Sequence, residues 1–78
     1  MALLEADVER VYAAIREGCN TAVDENKYTE LLTMDPEQLA IDVMDNDYEV
    51  ELLKLELGLE IEDVKPLVER WQRERANG

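Results

Sequence analysis

The sequence predicts an all-α protein: a small single-domain bundle of four to five short helices, with a helix-turn-helix-like corner at its C-terminal end. Three observations carry this expectation. The chain has 78 residues, enough for one small domain that buries about 60% of the surface its unfolded form exposes. Its apolar residues recur at helical spacing in one segment after another. Between those segments stand Asp-Pro, Asn-Asp and glycine signals of the kind that start and stop helices.

The first segment sets Leu4, Val8, Val11, Tyr12 and Ile15 at i, i+4, i+7, i+8 and i+11, one face of an amphipathic helix. A helix over 3–17 follows, with Gly18 as its left-handed stop. A second helix is expected over 22–32. It rests on a Thr21–Asp24 capping box and an imperfect face of Val23, Tyr28, Leu31 and Leu32, although KYTELLTM also suits an extended strand. The third, over 36–45, is announced more clearly. Asp35 is a natural N-cap, Pro36 suits the first helical position, and Met34 and Leu39 occupy the staple positions around the cap. Leu39, Ala40, Val43 and Met44 supply its inner stripe.

Asp45-Asn46-Asp47 decides whether that helix continues. An unbroken helix would stack Asp42, Asp45 and Glu49, each like-charged neighbouring pair costing about 0.2–0.5 kcal/mol. A break instead lets Asn46 or Asp47 cap a new helix and sets Glu49 and Glu51 at the positive end of its dipole. A fourth helix is therefore expected over 48–57, ended by Gly58. Val50, Leu52, Leu53, Leu55 and Leu57 leave it few polar positions, which predicts the most buried element of the fold. The fifth, over 62–75, turns Ile61, Val64, Leu67, Val68 and Trp71 inward, with Glu60 or Asp63 as its cap. Arg70, Arg73 and Arg75 complement its negative end, and Pro66 is tolerated only if it falls in the first turn.

The residue inventory narrows the chemistry. The chain contains no His and no Ser, which removes serine–histidine hydrolysis, cysteine–histidine proteolysis and His-containing zinc sites. Carboxylates, Lys, Tyr, Thr and the thiol of Cys19 remain. In so short a chain that set leads us to expect no enzyme and no cofactor. One cysteine excludes an intrachain disulfide and fits a reducing compartment. No apolar run approaches the roughly 20 residues of a membrane span, and no basic-then-apolar leader opens the chain, so a cytoplasmic protein is expected. Cys19 has only Arg16 as a nearby base and is read as an incidental thiol. Trp71 is read as a cap on a small core that lacks phenylalanine.

Two local patterns invite comparison. Counting Asp45 as position 1 places Asp47, Glu49, Glu51 and Glu56 at positions 3, 5, 7 and 12, which partly resembles a calcium-binding EF-hand loop. Position 6 is Val50, however, where the sharp turn needs glycine. The run Leu53-Lys54-Leu55-Glu56-Leu57-Gly58-Leu59, followed by Val64 and Leu67, resembles a DNA-reading helix-turn-helix. Lys54 stands there where a small residue lets the helices approach. Glu60, Glu62 and Asp63 occupy the end that should meet phosphates, and Pro66 follows. In composition the chain also looks like an acyl carrier protein, but without a serine it has nowhere to attach the prosthetic arm.

Charge is the strongest remaining signal. Net charge is −12, and residues 35–63 hold eleven acids against Lys54. Residues 64–78 reverse the sign, with four bases and two acids. Such density exceeds what solubility requires and opposes folding through self-repulsion. Regularly spaced carboxylates imitate a nucleic-acid backbone and attract basic clefts by a fast, salt-sensitive route. In this the chain is similar to small acidic proteins, some phage-encoded, that inhibit nucleases or CRISPR effectors. The expected function is a non-enzymatic module that docks onto a partner protein with a basic, nucleic-acid-binding surface, without binding nucleic acid or membrane itself. The candidate contact residues are Asp42, Asp45, Asp47, Glu49 and Glu51, supported by Glu56, Glu60, Glu62 and Asp63. The alternative is a structural homo-oligomer assembled through the leucine-rich fourth helix and Trp71.

Overall fold

The computed structural model describes residues 3–21 and 25–77, and among these the chain forms helices only. They are α1 (Glu5–Asn20), α2 (Glu25–Thr33), α3 (Pro36–Asn46), α4 (Tyr48–Leu57) and α5 (Ile61–Asn77). The expected small all-α bundle is what the chain builds. Of the second-helix evidence, Val23 and the Asp24 end of the capping box lie outside the described residues.

The cap signals work largely as their chemistry dictates. Asp35 accepts a hydrogen bond from the Gln38 backbone N–H at 3.4 Å, and Pro36 opens α3. The chain does break at Asp47, whose Oδ1 accepts from the backbone N–H groups of Glu49 and Val50 at 3.1 and 3.3 Å. Gly58 closes α4 in the left-handed conformation, φ 68° and ψ 41°, and donates to the Lys54 carbonyl at 2.8 Å. At α5 the two candidate caps share the task. The Glu60 carbonyl accepts the first helical bonds, while Asp63 Oδ2 takes the Glu60 N–H at 3.0 Å.

Leu4 and Ile61, expected on inner faces, stand at the helix starts and are 73% and 38% exposed, and three larger expectations need correction. First, α1 does not stop at Gly18 but runs on to Asn20. Gly18 serves a different purpose, because a Cβ built there would overlap Asp47 Oδ2. The glycine lets the α4 cap lie directly against α1. Second, Pro66 stands at the sixth position of α5, beyond the first turn. It leaves the Glu62 carbonyl without its helical partner, and Glu62 is exposed, so water can satisfy that carbonyl.

Third, α4 is not the most buried element. Val50 is its one buried residue, whereas Tyr48 is 71%, Leu52 46% and Leu55 75% exposed. Five aliphatic side chains spread around ten residues cannot all share the single stripe a helix turns toward its neighbours.

The core forms where α5 crosses α1, α2 and α3, with α4 packed on α3 and α1. Val11, Ile15, Leu39, Val50, Val64, Val68 and Trp71 are wholly enclosed there. The core reading of Trp71 holds: its Nε1 donates to Asn20 Oδ1 at 3.0 Å, and the Tyr28 ring meets it edge-on at 5.9 Å. On the α1–α5 seam, the Arg70 guanidinium lies 3.9 Å over the Tyr12 ring and bonds Glu9 and Glu74. Tyr12 donates its hydroxyl hydrogen to Glu74, which holds that carboxyl below its ordinary range. Among the described residues no helix is long and apolar enough to cross a membrane.

Candidate functional site

The nine candidate acids fall into three groups, set by the caps and by helical phase. Asp42, Asp45 and Asp47 mark the α3–α4 junction. Asp42 is half-buried and accepts from Asn46 Nδ2 at 2.8 Å, Asp45 is exposed, and Asp47 is committed to capping α4. Asp42 and Asp47 share a hollow with Cys19 and Lys27.

The second group lies on α4. Tyr48, Leu52 and Leu55 recur at i, i+4 and i+7 and fall within an arc of about 60°, at roughly 100° per residue, opposite inward-facing Val50 and Leu57. Glu49 and Glu56 run along one edge of this ridge and Glu51 along the other. Beside it, between α1 and α4, runs a groove of about 450 Å³ floored by Ala13, Ala14, Leu52 and Leu53. Glu17, Glu49 and Glu56 line its rim together with Arg10.

The third group opens α5. Glu60 and Glu62 line a shallow hollow with Glu37 from the start of α3 and with Lys65. A hydrogen bond to Glu62, then the charges of Glu62 and Asp63, raise the Glu60 carboxyl above its ordinary pKa. In the helix-turn-helix resemblance this start of α5 is the end that would have to meet phosphates, and Glu60, Glu62 and Asp63 make it acidic.

Cations do little to offset these acids. Of the nine candidates only Glu56 has a described cation within pairing distance, Arg10 at 3.3 Å. Arg10 also reaches Asp7 at 3.4 Å. Asp45, Glu49 and Glu51 face solvent with no described ion pair.

The EF-hand-like spacing does not produce a loop. Residues 45 and 46 end α3, Asp47 caps, and 48–56 are helical, so the five acids do not converge on one point. Among the described residues no three Asp, Glu or Cys side chains converge to hold a metal ion. Cys19 is buried, and its thiol is pushed up to about 12, first by burial and then by the charges of Asp47 and Asp42. At neutral pH it stays protonated and offers no nucleophile.

Sequence reasoning missed the apolar ridge. The signal was available: α4 carries two apolar stripes, 50/53/57 and 48/52/55, and a helix in a small bundle buries one. It also missed Glu17 and Glu37, which only the fold brings beside the candidate acids. Comparison with known proteins adds no relative: no family model, no curated protein and no solved structure matches the chain.

Proposed function

We propose that this protein is a non-enzymatic binding module that docks its acidic α3–α4 surface onto a basic surface of another protein. In its specific form it acts as an inhibitor or regulator that takes the place of a nucleic acid on that surface. The observation that supports this reading is the unbalanced charge of Asp45, Glu49 and Glu51, exposed and close in sequence with no described cation paired to them. Maintaining such a field opposes folding, and a partner of opposite charge relieves it. With one cysteine the chain has no intrachain disulfide, which suits action in a reducing cytoplasm.

The test is capture from the native cells at low ionic strength, followed by elution across a salt gradient. The expected result is retention of a nucleic-acid-binding protein that elutes at moderate salt and that, while bound, no longer holds its nucleic acid. A triple variant, Asp45→Lys, Glu49→Lys and Glu51→Lys, should lose this capture. Capture unaffected by the charge reversal overturns the proposal.

A further inference from the structure

We infer that the outer face of α4 is a short coiled-coil seam, built to receive an amphipathic helix of a partner protein whose leucine-type seam is flanked by Lys or Arg. The inference deepens the acidic-docking reading and rests on it. In heptad terms Tyr48 and Leu55 occupy d positions and Leu52 the a position between them. All three are substantially exposed, although α4 has a second apolar stripe already spent on the core. An apolar row placed on a helix at the spacing of a helix–helix seam, and left substantially exposed by the described residues, is a half-interface.

The flanking positions say what the other half is. Glu49 and Glu56 fall at e and Glu51 at g, the sites that set partner choice in coiled coils. A second copy of this chain fails in both directions. A parallel pair of α4 helices sets Glu51 against Glu56 of the other copy. An antiparallel pair sets Glu49 against Glu56 and Glu51 against itself. Each arrangement juxtaposes like charges, at a molecule of net charge −12. A helix with Lys or Arg at its own e and g positions turns every one of these contacts into an attraction.

The neighbouring groove extends the same surface. Leu52 belongs to both the ridge and the groove, and the small side chains of Ala13 and Ala14 leave room for one further apolar anchor. Glu17 adds acid to the rim on the α1 side. Arg10 already neutralises part of Glu56, so Glu49 and Glu51 are the acids left to choose the partner.

A synthetic three-heptad peptide with Leu at a and d and Lys at e and g is the probe. Its lysines keep it from pairing with itself, so helix formation on mixing reports docking. Titration followed by circular dichroism and calorimetry should give micromolar binding with a gain of helicity. A peptide of the same composition with Leu and Lys shuffled should bind at least tenfold more weakly. The double variant Leu52→Ser/Leu55→Ser should also lose at least tenfold, as should Glu49→Gln/Glu51→Gln. Because Leu55 is 75% and Leu52 46% exposed, the serine variant should remain folded with a melting temperature lowered by only a few degrees, which separates lost docking from lost folding.

Equal binding of the shuffled peptide, or of the parent peptide to the serine variant, overturns the seam while leaving docking by charge intact. No binding of the Leu/Lys peptide also overturns the seam, and the low-salt capture then decides the broader reading separately. A concentration-dependent dimer in sedimentation that Leu52→Ser/Leu55→Ser abolishes overturns it as well, because the ridge then belongs to a second copy.

Discussion

Asp47 illustrates how one side chain can carry several structural roles. Its Oδ1 caps α4, its other carboxylate oxygen lies against the α-carbon of Gly18, and its charge helps hold Cys19 protonated. The pairing with Gly18 predicts a sign change. Gly18→Ala should gain up to about 1 kcal/mol of helix propensity, but the new methyl must displace the carboxylate and forfeit a cap of about 1 kcal/mol. Alone, the substitution should be neutral to destabilising. In an Asp47→Ala background it should stabilise by up to about 1 kcal/mol. Urea midpoints of the four variants measure the coupling, and strictly additive values would exclude it. The sequence made Asp47 legible as a cap, because a short carboxylate before a helical run has few other uses. It did not make Gly18 legible. A glycine near a helix end signals either a left-handed stop or a close approach, and the approaching group lies 29 residues further along the chain.

At the scale of elements, existence and type were legible, and so was most of the inward face of α1, α3 and α5; the facing of α4 was not. The starts of α3 and α4 and the end of α4 follow from local cap chemistry, which needs no knowledge of neighbours. Which of the two apolar stripes of α4 turns inward depends on where α1 and α3 lie, and periodicity carries no such information. Helix α5 poses a different problem. Pro66 is exposed at its sixth position and removes the hydrogen bond that would reach the Glu62 carbonyl. A helix-interior proline costs about 3 kcal/mol, offset by about 0.4–1 kcal/mol from a stiffer unfolded chain. Pro66→Ala should therefore stabilise the protein by about 1–3 kcal/mol in thermal or urea denaturation. A destabilised variant would mean that the helix is not regular at this point.

For the molecule as a whole, electrostatics should set the response to solvent. The described ion pairs are solvent-accessible and each contributes about 0–1 kcal/mol, against an excess of twelve negative charges. The molecule measures 34 × 23 × 18 Å. At about 0.01 M salt the screening length is roughly 30 Å, comparable with the whole particle, and at about 0.15 M it falls to roughly 8 Å. Raising sodium chloride across this range should therefore raise the melting temperature, by about 4–8 °C if about 1 kcal/mol of repulsion is removed. A fall would mean that ion pairs outweigh self-repulsion. The direction was readable from composition alone, but the three-way division of the acids was not, since caps and helical phase separate residues that the sequence runs together. The packing around Trp71 has a practical outcome. The chain's one indole sits among residues of α1 and α2, in the interior and not on the outer ridge of α4. Its emission should redden when the bundle opens and stay constant when a ligand occupies the ridge, giving an unlabelled optical gauge that separates surface occupancy from loss of structure.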